Sequence, residues 1–342
     1  MAIKKLADFT TAENFAGREQ ARIFLGYRKM MEHPLLNLIP WSEPRDLDPG
    51  ATKGSRLVNL AFLEDVKDIQ ARDIGKEPVA KNVSRHTDTL EMTILTDAYE
   101  IDRQQLLIPS ERAEVISDNV LASTEVVGRA IVQGFLSAKK GDAVNSTINA
   151  TTWKHDGLHE YFKTGKALEN MTDDTPVSFT SGMNSQADAK KFFEVIADMR
   201  NKVSKGVVAE TDLVWIGTPG VINLIDAYNF WLGVNSNTVK FGAGVYKTLM
   251  NSPVVQVESS ELPADVQAIG ESLVLARVGR NKRSLSMLHP YADILDILTP
   301  SIPNSAEALH GDKRVYGGSV EAIGALAVPA VDCAARAFFT LE

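Results

Sequence analysis

The stretch from Ser110 to Gly141 constrains the fold more than any other, because its pattern predicts one long helix. Apolar residues recur along it at helical spacing, which places them in a single stripe. Ser110 is suited to the N-cap, and Gly141 stands where a left-handed residue commonly ends a helix. A helix from Glu111 to Lys140 would measure about 45 Å, longer than most globular helices. It is either an ordinary core helix or a strut across an extended molecule.

The composition is that of an ordinary soluble protein. Of the 342 residues, 44% are hydrophobic and 23% are charged. The net charge of −8 argues against a dedicated nucleic-acid binder, because phosphate contacts need clustered Lys and Arg. It does not exclude a protein that merely surrounds nucleic acid.

Cysteine content and apolar runs indicate the compartment. Cys333 is the only cysteine, so an intrachain disulfide is impossible and an oxidising compartment is not indicated. No signal sequence opens the chain, and the most apolar run, Ala322 to Val331, is too short to span a bilayer. We therefore expect no membrane contact and a protein made and kept in cytosol-like conditions.

The segment before residue 50 has apolar side chains but no core of its own. A helix is predicted over Thr11 to Met31, and prolines are then dense from His33 to Pro49. Such a density of prolines predicts an irregular segment, although Leu35, Leu36 and Trp41 favour burial. We expect an extended arm that lies on another surface, either of this chain or of another subunit.

Two strands and a charged loop are predicted next. Val58 to Phe62 and Leu90 to Ile94 alternate apolar and polar residues, which is typical of strands. Between them, Glu64 to His86 contains five acidic and five basic side chains, so its charge is balanced. The loop is too long for a tight hairpin and too poor in apolar residues for a core, so we expect it to project.

The second half of the chain alternates helices and strands without a regular repeat. After a polar stretch over residues 142–184, the pattern predicts a helix from Gln186 to Lys205 with Ser185 as its cap. Its predicted buried face is Phe192/Phe193, Ile196, Met199/Arg200 and Val203. The further predicted elements are a strand at Leu213 to Ile216, a helix at Val221 to Tyr228, and strands at Val254 to Val257, Ser272 to Val278 and within Ala322 to Phe339. This order predicts an α+β or α/β protein.

Two segments have weak signals for chemistry. His155 and His159 have the spacing of helical zinc ligands, but Gly157 lies between them. We expect a polar surface loop there, with a metal site as the alternative. Gly217 to Gly220 could offer N–H groups to a phosphate, but it lacks the spacing of known phosphate loops and we expect a tight turn.

The remaining candidates also favour structural roles. Arg277, Arg280, Lys282 and Arg283 form a basic cluster that we expect to be a solvated turn. Cys333 has small apolar neighbours and is expected to be a buried, inert thiol. No catalytic constellation is found, so we expect no enzyme activity, no catalytic, cofactor-binding or metal site, and no cofactor.

The order of elements resembles the major capsid protein of tailed bacteriophages, whose fold is shared with encapsulin shells. Three segments carry the resemblance. They are the strand and turn at Leu213 to Pro219 that would lead into the axial domain, the later strand and turn at Asn251 to Val255 and Leu262-Pro263, and the terminal strand in Ala325 to Phe339 with Val328-Pro329-Ala330. The resemblance implies an α+β, phage-capsid-like fold. Its parts would be an N-terminal arm at 1–50, an extended two-stranded loop at 51–103, a peripheral domain at 104–210 and 318–342 with the spine helix at 110–141, and an axial domain at 211–317.

The resemblance also implies a function. The chain would be a structural subunit that self-assembles as hexamers and pentamers into an icosahedral capsid, assembled in the host cytoplasm. The shell would enclose double-stranded DNA without tight specific binding. Residues 1–50 leave no room for a long scaffolding segment, so scaffolding would come from a separate protein or not be needed; portal and decoration proteins are further expected partners. The alternatives are an encapsulin-like cargo shell and a soluble metal-dependent hydrolase that uses His155 and His159.

Seven residues are the candidate contacts between subunits. In the arm they are Leu35, Leu36 and Trp41, and in the charged loop they are Lys76, Glu77, Lys81 and Arg85. The first group would bury apolar surface and the second would pair with charges of a neighbour.

Overall fold

The structure is a computed structural model that describes most of the chain. The described residues are 30, 33–63, 85–106, 112–144, 152–179, 182–203, 212–233, 238–241, 244–280, 283–290, 294–298 and 314–341. The predicted helix at Thr11 to Met31 falls almost wholly outside these ranges, as do Lys76, Glu77 and Lys81. Within them, no helix has both the length and the apolar character needed to cross a membrane.

Helices and strands alternate along the described chain. The α-helices are α1 Pro34–Leu38, α2 Pro44–Leu47, α3 Arg103–Leu106, α4 Arg112–Ser137, α5 Gln186–Val203, α6 Pro219–Trp231 and α7 Ala264–Ile269. The strands are β1 Trp41–Ser42, β2 Leu57–Leu63, β3 Arg85–Glu91, β4 Thr93–Asp102, β5 Thr172–Phe179, β6 Leu213–Gly217, β7 Thr238–Phe241, β8 Gly244–Leu249, β9 Ser252–Gln256, β10 Glu271–Arg277, β11 Ser286–Leu288, β12 Leu295–Leu298, β13 Val315–Ala327 and β14 Ala334–Leu341.

The chain divides into two compact units. The first comprises Met1–Leu36, Ile94–Val132 and Tyr291–Gly324, and the second comprises Asn37–Thr93, Gln133–Pro290 and Ala325–Glu342. Both α4 and β13 begin in the first unit and end in the second, so each unit is built from segments that are distant in sequence.

The first unit packs α4 beside strands. β13 pairs antiparallel with β12 and also pairs with β4. Its core cluster consists of Tyr99, Ile101, Leu106, Ile116, Val120 and Tyr316. Ile116 and Val120 lie one turn apart on α4, so the predicted apolar stripe of the long helix faces this cluster.

The second unit is built around a seven-stranded sheet with the order β5-β14-β10-β6-β9-β8-β7. β5 pairs parallel with β14 and β6 parallel with β9, while the other neighbours are antiparallel. α5 packs on β14 and β10, and α6 packs on β10 and β6. Phe192 of α5 anchors this layer, with ring centroids 5.3 Å from Phe339 and 5.5 Å from Tyr228.

The two strands predicted on either side of the charged loop pair as a ladder of β2 and β3. The strands are antiparallel and in register from Leu57↔Glu91 to Leu63↔Arg85. Val58 and Leu90 are buried, whereas Asn59 is exposed, as the alternation predicts. The predicted strand at Leu90 to Ile94 is divided between β3, which ends at Glu91, and β4, which begins at Thr93.

The proline-rich segment differs from the prediction. It contains α1, β1 and α2 instead of extended chain, and Pro34 and Pro44 each stand at the first residue of a helix. Proline is tolerated there because the first N–H groups of a helix have no partner within it.

The long helix is confirmed, but its end was predicted wrongly. α4 ends at Ser137, before the predicted Lys140. Gly141 has the left-handed φ of 94° that a C-cap glycine would show, but it lies in the turn beyond the helix. There its N–H donates to the carbonyl of Trp153 at 2.9 Å.

The helix α5 begins as predicted. The hydroxyl of Ser185 accepts the N–H of Asp188 at 3.2 Å and donates to its carboxylate at 2.7 Å. The buried face is narrower than predicted, since Phe193 is 44% exposed and Arg200 is only half-buried.

Strand β5 was not predicted; it lies in the polar stretch before Ser185. It is an edge strand that pairs only with β14 in the sheet order. Pro176 is tolerated at such an edge because its missing N–H breaks no ladder.

The predicted boundary between peripheral and axial domains does not coincide with a boundary between sheets. β5 and β14 were assigned to the peripheral domain, yet β14 pairs with β10 of the predicted axial domain. Hydrogen bonding thus joins all three strands in one sheet. The division into these domains stays a prediction.

Candidate functional site

The segment from His155 to His159 lies across the C-terminal end of α4. The N–H groups of Gly157, Leu158 and His159 donate to the carbonyls of Ala138 at 2.7 Å, Phe135 at 2.7 Å and Leu136 at 3.1 Å. The last carbonyls of a helix have no partner within it, so these bonds satisfy them. This is why α4 ends where it does.

Gly157 makes the close crossing possible. A Cβ at this position would lie 2.7 Å from the backbone N of Ala138 and 2.9 Å from that of Ser137. Since backbone atoms of a helix cannot move aside cheaply, only glycine fits without displacing the segment.

His155 is buried beside the helix end. Its Nδ1 lies 3.0 Å from the hydroxyl of Thr93, which also accepts the N–H of Lys154 at 2.9 Å. Burial lowers the pKa of His155 to about 4, although hydrogen bonding to Gly134 and the charge of Asp156 act in the opposite direction. The ring is therefore neutral at pH 7.

His159 is buried still more completely. Its Nδ1 lies 3.4 Å from Nη1 of Arg336. Burial lowers the pKa of His159 to about 3, and the positive charge of Arg336 contributes in the same direction. The prediction of a polar surface loop was wrong, because both histidines are inside and the segment bonds to a helix end.

The metal alternative gains no support from this geometry. Nδ1 of His155 is engaged by Thr93, and Nδ1 of His159 faces a guanidinium, which only donates. In the described ranges, no group of three or more His, Cys, Asp or Glu side chains is placed to hold a metal ion.

The turn at Gly217 to Gly220 leads into α6 as predicted, and its N–H groups have an internal partner. The N–H of Gly220 donates to Oε2 of Glu271 at 3.1 Å. A Cβ on Gly220 would lie 2.6 Å from the Glu271 carboxyl carbon. The carboxylate of Glu271 thus occupies the position where a phosphate would bind.

The predicted basic cluster is not a solvated turn as a whole. Arg277 is 7% exposed and pairs with Asp332 at 2.9 Å, and it also donates to the carbonyl of Arg283. Arg280 is exposed, and Lys282 lies outside the described residues. The burial predicted for Cys333 is confirmed, and burial raises the pKa of its thiol to about 12, so it is no nucleophile at neutral pH.

Comparisons with solved structures identify the fold. An encapsulin complex from Synechococcus elongatus PCC 7942, holo-SrpI, matches over 100% of this chain and 96% of its own, with a TM-score of 0.55 and 13% sequence identity. The capsid of a native GTA particle matches over 91% of this chain and 90% of its own, with a TM-score of 0.50 and 12% identity. This chain has the fold of capsid and encapsulin shell proteins. No protein-family model and no curated protein matches its sequence.

Of the seven predicted contact residues, the structure describes Leu35, Leu36, Trp41 and Arg85. Leu35 and Leu36 are 0% exposed and Trp41 is 6% exposed, so the chain itself covers them. Their burial therefore requires no other subunit. Arg85 forms a backbone pair with Leu63 at the end of the β2–β3 ladder, and the other loop candidates lie outside the described residues. A role for the seven residues between subunits stays a prediction.

An apolar surface between α5 and α6 was not predicted from the sequence. A groove of about 660 Å³ lies between α5 and α6, and its lining includes Ala189, Phe193, Tyr228 and Trp231. Next to it Phe230 is 79% exposed. The sequence signal for this surface was the apolar run Phe230-Trp231-Leu232, which lies just beyond the predicted end of the helix at Tyr228. Exposed apolar groups of this kind are typical of interaction surfaces.

Proposed function

We propose that this chain is the structural major capsid subunit of a tailed bacteriophage, self-assembling as hexamers and pentamers into an icosahedral shell around the genome. The observation that carries the proposal is the fold match, which covers 100% of this chain and 96% of the encapsulin chain at a TM-score of 0.55. Because the match extends over nearly both chains, it is not the similarity of one common domain.

The β2–β3 ladder supports assembly on physical grounds. A two-stranded ladder is marginally stable in water unless it packs on something else. Leu57, on one face of this ladder, is 56% exposed. A neighbouring subunit would cover such a face, and the balanced charges of the loop from Glu64 to His86 would set the register of the contact.

In this proposal the predicted parts keep their roles. Residues 1–50 are the arm, 51–103 the extended loop, 104–210 and 318–342 the peripheral domain, and 211–317 the axial domain. Separate scaffolding, portal and decoration proteins are the proposed partners. The shell encloses double-stranded DNA and is assembled in the host cytoplasm.

An encapsulin-like compartment is the second candidate function. The observation that favours it is the TM-score of 0.55 to an encapsulin complex, against 0.50 to the GTA capsid. The two candidates share a self-assembling shell and differ in its contents, which are DNA for a capsid and protein for a compartment.

Negative-stain microscopy and light scattering of the purified full chain test both candidates. We expect closed particles, because the fold is that of proteins that form shells. Nuclease-protected DNA supports the capsid, and a protein cargo supports the compartment. A monodisperse monomer or dimer under every condition of salt, pH and concentration would contradict both.

A further inference from the structure

The turn that closes α4 contains two buried histidines, His155 and His159. We name residues 155–159 the helix-end latch, because the N–H groups of its last three residues donate to the carbonyls of Phe135, Leu136 and Ala138. His155 is 3% exposed and His159 is 1% exposed, so neither imidazolium could be solvated while the latch is closed.

The contact between His159 and Arg336 is incompatible with a charged ring. A guanidinium has donors and no acceptor, so Nδ1 of His159, 3.4 Å from Nη1, must keep its lone pair. Protonation there would lose this contact and place two positive charges together.

Arg336 cannot move away easily. It is stacked between the rings of Phe162 and Phe338, with centroids 4.7 Å and 4.8 Å from its guanidinium carbon. It also donates to Asp174 at 2.9 Å. The repulsion would therefore displace His159 and not the arginine.

The acidic groups that act on the two rings are already engaged. Asp156, beside His155, accepts the N–H of Lys140 and the ammonium of Lys166, both at 2.8 Å. Asp265 of α7, which acts on His159, pairs with Lys163 at 2.9 Å. Lys163 itself adds positive charge near His159. Among the described residues, the carboxylates that act on the two rings are thus already paired with lysines in the closed latch.

We propose that the helix-end latch is an acid-sensitive switch, in which protonation of His155 and His159 releases residues 155–159 from the end of α4. Opening would free the carbonyls of Phe135, Leu136 and Ala138 and loosen the turns that follow, Glu160–Phe162 and Glu169–Met171. The inference does not depend on the proposed shell, because every residue of the latch belongs to one chain.

The direction and size of the pH effect on latch opening follow from the linkage between proton binding and opening. Burial lowers the pKa of both rings, to about 4 for His155 and about 3 for His159. The open latch therefore binds protons below about pH 6.5, where the closed latch does not. Closure is fully favoured above that pH. The opening equilibrium then rises by up to about tenfold per pH unit for each histidine as the pH falls toward these values.

Hydrogen exchange of the full chain tests the switch. Exchange of the amides of residues 157–159 is followed by mass spectrometry at about pH 7, 6 and 5 and corrected for the intrinsic rate at each pH. The variants are His159→Gln, His155→Gln and the double variant, because Gln accepts hydrogen bonds but does not titrate. His33→Gln, a half-buried histidine outside the latch, is the matched control.

In the parent and the control, we expect protection of residues 157–159 to fall by up to about 100-fold between pH 6 and pH 5. Each single variant should show at most about a tenfold fall, and the double variant a flat profile. The helix α5 should keep its protection throughout.

Equal pH profiles in the parent and the double variant would overturn the proposal. So would simultaneous loss of protection in α5, since that would be unfolding of the whole unit and not release of the latch. If a variant fails to fold, the comparison of residues 157–159 with α5 in the parent decides: loss confined to 157–159 supports the switch, and a common loss or none overturns it.

Discussion

A single hydrogen atom in place of a side chain at Gly157 allows the chain to cross the end of α4. The three hydrogen bonds that follow depend on this approach, because they join Gly157, Leu158 and His159 to helix carbonyls at 2.7 to 3.1 Å. Gly157 thereby lets the chain bond to the end of a long helix between two buried histidines.

Gly157→Ala should therefore destabilise the protein by about 2–3 kcal/mol, since the new Cβ meets helix backbone that cannot yield. Urea unfolding followed by circular dichroism measures the loss. The matched control is Gly165→Ala, where no atom lies within 4 Å but φ is +80°. In the control, the free energy of unfolding should fall by only about 1 kcal/mol, because backbone strain is the sole cost there. Equal losses in the two variants would show that the crowding at Gly157 has no consequence.

At the scale of elements, the β2–β3 ladder and its charged loop are the proposed assembly elements. The ladder is regular over Leu57–Leu63 and Arg85–Glu91. The charged segment Glu64 to His86, which includes the first two residues of β3, has five acidic and five basic residues, so no net field draws it to DNA or to a membrane. A surface of mixed sign can still pair with a similar surface on another copy.

Reversing Lys76, Lys81 and Arg85 to Glu should leave a folded subunit that does not close shells. Each exposed ion pair contributes only about 0–1 kcal/mol, so the effect depends on repetition over the whole shell. Circular dichroism checks the fold, and light scattering with electron microscopy checks assembly.

The matched control reverses three exposed lysines elsewhere, Lys53, Lys139 and Lys154, and changes the net charge equally. Assembly of the control but not of the loop variant supports pairing by the loop. If both assemble, the loop is no assembly element, and if both fail, net charge alone is responsible.

For the whole molecule, the excess of acidic over basic residues predicts weak binding to DNA. The net charge is −8, with 36 basic and 44 acidic residues. The one basic cluster of the sequence is weakened as a DNA-binding surface, because Arg277 is buried and paired with Asp332. A shell that held its genome tightly could neither fill nor empty.

Free subunits should accordingly bind double-stranded DNA weakly, without sequence preference and only at low salt. Fluorescence anisotropy with two unrelated duplexes, at low and at physiological salt, measures this binding. Tight binding to one duplex at physiological salt would contradict the expectation.

The sequence by itself determined the elements whose signals are local. Ser185 and Asp188 cap α5, the alternation about Val58 and Leu90 predicts the ladder, and the spacing along residues 110–141 predicts the long helix. Periodicity, caps and alternation act over a few residues, so they can be recognised without a structure. The order of these elements also led to the shell-protein fold that the comparisons confirm.

Only the tertiary structure decided which side chains are inside. His159 meets Arg336 across 177 positions of sequence, and β5 is a strand because β14 pairs with it. Leu35 and Leu36 are covered by their own chain, although their sequence gives equal reason to expect another subunit. Burial and strand pairing depend on residues that are distant in sequence, and neither periodicity nor composition contains that information.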